Sequence, residues 1–306
     1  MDAHHLATLR AVRDAGGVTA AAARLHLTPS AVSQHLRLLA DQVGTPLVER
    51  VGRGIRLTEA GQALADAAVE VAVAMERAAG AVEEFRGSPT GRVRVAFFQS
   101  AAALLAPGLL HRIAARHGVE VELGDRDVAQ HDFPTLTADF DLVVAHRPDT
   151  GDDWPSGLQV VPLLREPLDV ALREDHPLAD RTELAPADLA GQRWIAVQEG
   201  FPVARVLDRV AAVAGTPPEV VQRFNDFGVV EALVAAGHGI SLLPRYTAGS
   251  RPGVRLVPLA GVAAARRTDA LMTPERAARR VVRLVLADLR AEADDATGVN
   301  RQVTAR

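Results

Sequence analysis

Between residues 28 and 43 apolar side chains recur at Val32, Leu36, Leu39 and Val43, the three- and four-residue steps of one helical face. Thr28 and Pro29 stand where such a helix would begin, a side-chain cap followed by a residue with no N–H to leave unpaired. Two shorter helices are predicted before it: one carrying Leu6, Leu9 and Val12 and stopping at Gly16-Gly17, the other the alanine-rich run from Thr19. After it, two β-prone runs in LVERVGRGIRLT flank Gly52-Arg53-Gly54 and predict a hairpin. Thr58 caps a predicted long helix that reaches about Arg86, where the Gly87–Gly91 cluster breaks it.

Beyond residue 91 the pattern changes. The β-rich runs RVRVAFF, VEVEL, FDLVVA, LDVAL, RWIAV, EVVQRF and GISLL alternate with helical stretches at 104–116, 203–214, 227–236 and 274–292. Alternation of this kind predicts an α/β unit with mainly parallel sheets, and its length suits two lobes. The polar tail after Glu292 reads as disordered. The expected organisation is a helical unit with a hairpin over 1–58, a long helix over 59–88, and an α/β unit over 92–295, with lobe I at 92–163 and 266–295 and lobe II at 164–265.

The long helix carries a second pattern. Leu64, Ala68, Val71, Met75, Ala78, Val82 and Phe85 alternate four- and three-residue steps, a heptad seam. So narrow a stripe on so long a helix needs a partner, which predicts self-association.

Composition narrows the function classes. The chain has no cysteine, so disulfides, thiolate chemistry and cysteine-ligated zinc are excluded. No apolar stretch approaches the ~20 residues of a spanning helix, and the N-terminus does not read as a signal peptide, so a cytoplasmic protein with no membrane partner is expected. The net charge of −4 is unevenly spread: residues 1–58 hold seven arginines against four acids, and the excess of acids lies wholly in the remainder. No metal site, cofactor or catalytic motif is read, and the acids Asp139, Asp141, Asp152 and Asp153 are expected to be solvated.

The basic N-terminal segment points to DNA. On the predicted third helix Ser30, Ser33, Gln34 and Arg37 recur on a face other than the apolar one. Arginine bonds bidentately to guanine, glutamine to adenine, and serine to base or phosphate. The hairpin would bring Arg50, Arg53 and Arg56 to the backbone or minor groove.

Residues 18–64, VTAAAARLHLTPSAVSQHLRLLADQVGTPLVERVGRGIRLTEAGQAL, resemble the LysR-type transcriptional regulators. Thr28, Ala31, Val32, Ser33, Leu36, Leu39, Gly44, Leu47, Arg50, Leu57, Thr58, Ala60 and Gly61 match the family pattern in order, whereas Ala40 and Val48 depart from its usual Glu and Phe. The resemblance implies a winged helix-turn-helix, a long linker helix, and a two-lobed α/β effector domain like that of periplasmic binding proteins. Helix three, from Thr28 and Pro29 onward, would read the major groove. Antiparallel pairing of two linker helices would make a dimer that reads an interrupted palindrome in double-stranded DNA, with a tetramer through further effector-domain contacts and RNA polymerase as a further partner. Glu166–Ala179 looks like the family's passage into lobe II, and Gly237–Tyr246 like its exit strand.

In the α/β unit, Ser100 follows the first strand and precedes a helix, where a hydroxyl and free N–H groups can hold an anion. The family uses this position for its effector. Gln99, His146, Arg147, Gln198, Phe201, Asn225 and Phe227 also follow strands and are candidates for the same cleft, for a small, anionic effector. The other function classes fare worse. An enzyme lacks its motif, an exported solute-binding protein lacks its signal peptide, and a sequence-nonspecific architectural DNA binder has no use for a ligand-sized α/β domain.

Overall fold

The computed structural model describes residues 1–52, 54–85, 87, 89–151, 153–248 and 251–304, the last six by backbone alone. Arg53 and Asp152, named above, lie outside the described residues, as do two residues at the linker boundary, Arg86 and Ser88. The chain forms two compact units: Met1–Gly87 with Pro274–Arg280, and Ser88–Thr273 with Val281–Arg306.

The first unit contains α1 (Ala3–Ala15), α2 (Val18–Leu25), α3 (Pro29–Val43), β1 (Val48–Val51), β2 (Gly54–Leu57) and α4 (Glu59–Phe85). Caps set these limits. Asp2 accepts the His4 N–H at 2.7 Å to start α1, and Thr28 accepts the Ala31 N–H at 3.2 Å to start α3. The turn between α2 and α3 closes at His26, the one described non-glycine residue with positive φ, at +54°. Small side chains let the helices approach: Ala21, Ala22, Ala65 and Ala68 are buried with Leu9, Val32, Leu36, Leu39 and Leu47 in one core. Val43, expected on the buried stripe, is exposed at the last turn of α3.

Thr58 links hairpin and long helix. Its hydroxyl donates to the Pro46 carbonyl at 2.8 Å and accepts the Gly61 N–H at 3.0 Å. Gly61 lies against the Leu47 carbonyl so closely that a Cβ there would stand 2.0 Å from the oxygen.

The second unit contains β3 (Gly91–Phe97), α5 (Gln99–Ala114), β4 (Val119–Asp125), α6 (Phe133–Leu136), β5 (Leu142–Pro148), β6 (Gln159–Arg173), β7 (Arg193–Ala196), α7 (Pro202–Ala214), β8 (Glu219–Arg223), α8 (Phe227–Ala235), β9 (Ser241–Pro244), β10 (Val254–Pro258) and β11 (Ala265–Met272). The short α9 (Pro274–Ala278) belongs to the first unit, and α10 (Arg280–Thr304) ends the described chain. One seven-stranded sheet runs β10-β6-β11-β5-β3-β4, with β9 also on β6, and a two-stranded sheet joins β7 to β8.

The expectation of mainly parallel sheets is corrected. β3 pairs in parallel with β4 and β5, and β7 with β8, but β6 and β11 run antiparallel to every described strand they pair with. The reason is β6. Its fifteen residues pair with β11 over the first part and with β9 and β10 over the second, so a single strand carries the chain from one lobe into the other. The disordered tail is corrected too: α10 continues helical to Thr304. Val285, Leu289 and Ala293 continue its buried face, and Arg116 clamps Asp288 through two bonds of 2.6 and 2.7 Å. Asp141 is buried rather than solvated, accepting the Arg94 N–H at 2.8 Å.

Candidate functional site

Two sites emerge, one in each unit. In the first, α3 turns Val32, Leu36 and Leu39 inward, which leaves Ser30, Ser33, Gln34 and Arg37 exposed on its outer side. Ser30 Oγ shares a hydrogen bond with Thr28 Oγ1 at 2.9 Å, and Ser33 Oγ donates back to the Pro29 carbonyl at 2.9 Å. Pro29, Gln34, Arg37 and Arg50 are exposed, and the described contacts give no ion pair to either arginine. Arg56 is different: it lies opposite Glu49 on the hairpin and pairs with it at 2.6 Å. The arrangement is one helix presenting long hydrogen-bonding side chains, braced by a second helix and flanked by an arginine-bearing hairpin, with the shape and chemistry that a major groove accepts.

The linker seam divides. Leu64 and Ala68 pack into the core of the first unit, because the start of α4 lies against α1. The exposed stripe therefore begins at Val71 and continues through Met75, Val82 and Phe85.

In the second unit a cavity of about 230 Å³ opens at the carboxyl ends of β3, β4, β7 and β8, where open α/β sheets bind ligands. Of the residues expected there, Gln99, Ser100, His146, Phe201, Asn225 and Phe227 line it. Arg147 and Gln198 do not. Arg147 turns away to Asp269 at 2.8 Å and Asp153 at 3.2 Å, and the Gln198 N–H donates to Asn225 Oδ1 at 2.9 Å.

Sequence reasoning missed Phe98, Asp127, Val197, Val203, Thr247 and Arg266. Arg266 matters most. It lies on β11 directly opposite Glu166 of β6, and both side chains are almost fully buried. Its Nη2 also donates to Ser100 Oγ at 2.8 Å, and its guanidinium lies 5.2 Å from the Phe98 ring centre and 5.7 Å from that of Phe227. So the Ser100 hydroxyl, expected to hold an anion, already accepts a charged hydrogen bond from Arg266. The available signal was an arginine inside the β-prone run ARRTDALM and a glutamate preceding LDVAL.

His146 stacks on Phe98 with ring centres 4.2 Å apart, and both of its ring nitrogens are buried without a partner among the described residues. Burial, with the Arg266 charge adding to it, holds its pKa well below the ordinary 6.5, so the imidazole is neutral. Asp127 moves upward, chiefly through burial and then through Asp125, while Asn225 and Arg266 pull the other way. The cavity thus combines aromatic walls with a few convergent polar groups, the composition of a small-molecule site.

Comparison with known proteins agrees with both halves. The model of the bacterial regulatory helix-turn-helix protein, lysR family, matches residues 3–62, and that of the LysR substrate binding domain matches residues 86–294. The chain is 33% identical over 247 residues to the HTH-type transcriptional regulator TtuA of Agrobacterium vitis, covering 78% of this chain and 79% of that one. It is 31% identical over 258 residues to the transcriptional regulator MetR of Escherichia coli, covering 82% and 77%. An OxyR variant from Corynebacterium glutamicum shares the fold, with a TM-score of 0.61 at 22% identity over 99% of this chain and 96% of that one. The chain therefore belongs to the LysR family: it is a DNA-binding transcriptional regulator with an effector-binding domain, and not an enzyme.

Proposed function

We propose that the chain is a cytoplasmic, ligand-responsive regulator that reads specific DNA sequence through α3. Residues 1–58 form the reading head, 59–88 the dimerisation helix, and 92–295 the effector domain, with lobe I at 92–163 and 266–295 and lobe II at 164–265. The observation that carries the reading is the exposed face of α3, where Gln34 and Arg37 project opposite the buried Val32, Leu36 and Leu39. Both have the reach and the donor pattern for base edges. Thr28, Pro29, Ser30 and Ser33 lie at the same end of the helix, Arg50 of the hairpin extends the contact to phosphates, and Arg53, outside the described residues, adds to it.

Two heads act together. Val71, Met75 and Val82 are 41%, 55% and 55% exposed on α4, and a long helix with a bare heptad stripe is stabilised by a second copy. A two-fold dimer reads an interrupted palindrome, further contacts between effector domains make a tetramer, and bound regulator contacts RNA polymerase. The effector is a small molecule carrying an anionic group, taken between the lobes at Ser100, and it acts by favouring one arrangement of the oligomer over another.

Footprinting on the DNA upstream of the chain's own coding region tests the reading. A protected interrupted palindrome is expected, weakened by Gln34→Ala and Arg37→Ala. Uniform coverage without a boundary would instead indicate an architectural DNA binder.

A further inference from the structure

We propose that the cleft ligand is a zwitterion of amino-acid type, its carboxylate held at the Ser100 end, its ammonium held by Asp127, and a short apolar side chain among the aromatic walls. The inference rests on the reading of the cleft as the effector site.

The carboxylate end follows from hydrogen-bond inventory. Ser100 Oγ accepts from Arg266 Nη2, so its own hydrogen needs another acceptor. The first turn of α5 has no side-chain cap, which leaves N–H groups to receive an anion. Two orphaned groups line the same cavity: His146, buried with both ring nitrogens unpartnered, and Thr247, whose hydroxyl is buried without a partner among the described residues. Buried polar groups are rarely left so, and a ligand that accepts and donates hydrogen bonds satisfies them.

The charge inventory excludes a simple anion. Arg266 is already neutralised by Glu166, so the wall offers a carboxylate donors but no surplus positive charge. Asp127 and Asp226 share that wall. Asp226 is engaged in capping α8, accepting the Gly228 N–H at 2.8 Å. Asp127 is hydrogen-bonded by Asn225 and lies within the field of Arg266, yet it forms no ion pair among the described residues, and a half-buried carboxylate of that kind favours a cation. A bare amine would leave the Ser100 hydroxyl hydrogen and the His146 ring N–H without an acceptor, and a bare carboxylate would face Asp127 uncompensated. A molecule with both groups satisfies the donors and the Asp127 carboxylate together.

Size and polarity limit the remainder. A dry cavity of about 150 Å³ admits benzene, so 230 Å³ takes roughly nine non-hydrogen atoms. Phe98, Phe201 and Phe227 with Val197 and Val203 leave the middle of the cavity apolar. These limits describe an α-amino acid with a short aliphatic side chain.

The test uses the full chain. The standard amino acids are screened by thermal shift, and calorimetry then compares L-leucine and any stronger hit with analogues lacking one charge, such as 4-methylpentanoate and 3-methylbutylamine. At least one aliphatic amino acid should bind, and each single-charge analogue should bind at least tenfold more weakly. Asp127→Asn should weaken the amino acid at least tenfold while the monocarboxylate binds as tightly as before or more tightly, and Ser100→Ala should weaken both, with circular dichroism confirming that each variant is folded. The proposal is overturned if no amino acid binds, if the monocarboxylate matches the amino acid, or if Asp127→Asn changes nothing. Ala103→Phe, which fills the cavity, separates the two levels. A monocarboxylate that binds the parent as tightly as the amino acid, but does not bind Ala103→Phe, leaves the cleft reading intact and removes the zwitterion. Equal binding to both proteins removes the cleft itself.

Discussion

Arg266 and Glu166 stand opposite one another in register on neighbouring antiparallel strands, and Arg266 Nε and Nη2 both donate to Glu166 Oε2, at 2.9 and 2.6 Å. Glu166 Oε1 accepts the Tyr246 N–H at 3.0 Å, and Arg266 reaches Ser100. The pair thus ties the strands that run between the lobes to the end of β9 on one side and the start of α5 on the other.

Removing one partner strands the other charge in the interior, so Glu166→Ala and Arg266→Ala should each cost about 3–5 kcal/mol of effector-domain stability. The double variant should cost much less than the sum of the two. Urea denaturation of all four proteins measures this coupling, and additive losses would mean that the pair is not the unit of stability.

Two glycines on α4 should respond oppositely to the same substitution. Gly61→Ala drives a methyl group into the Leu47 carbonyl, both on rigid backbone, and should destabilise the head by at least about 1–3 kcal/mol. Gly80→Ala meets nothing nearer than 4.0 Å and should stabilise the helix by up to about 1 kcal/mol. Thermal melts of the two variants check the signs.

His146 makes the effector domain sensitive to acid. Its pKa in the folded chain is held far below 6.5, so below that pH the unfolded chain binds a proton that the folded chain does not. The stability that results is fully present above 6.5 and is lost as pH falls, by up to about 1.4 kcal/mol per pH unit. His146→Phe keeps the stack on Phe98 and should remove this component, so the parent should lose stability relative to the variant as pH falls below 6.5. Denaturation curves at four pH values test it, and parallel pH profiles would count against it.

The stripe on α4 should set the oligomeric state. Val71→Asp and Val82→Asp alter side chains that are already exposed, so each chain should fold normally while the dimer dissociates. Sedimentation of parent and variants checks this, and a monomeric parent would contradict the seam.

The legible parts of this chain were those governed by local rules. The start of α3 was readable because Thr28, Pro29 and the 32-36-39 spacing act within one helix, and the break at Gly16 because a left-handed cap needs glycine. What escaped depended on distant partners. β11 is absent from the predicted strands, and its Arg266 and Asp269 are accommodated by Glu166, Arg147 and Trp154, up to 122 residues away. The same holds for the cavity: Ser100 was visible as a residue between strand and helix, but its bond to Arg266 spans 166 residues. Leu64 and Ala68 fit the heptad as well as Val71 does, and only the packing of α1 on α4 assigns them to the head.

Specific reading of DNA by α3 is the central claim, and the ratio of specific to nonspecific affinity at fixed salt measures it most directly. Fluorescence anisotropy would compare the footprinted site with a scrambled duplex of equal length, for the parent and for Arg37→Ala. The account predicts a parent ratio of at least about 10³, reduced in Arg37→Ala by about 1–3 kcal/mol on the specific duplex alone. A parent that binds both duplexes equally, or an Arg37→Ala variant that retains the full ratio, would contradict it.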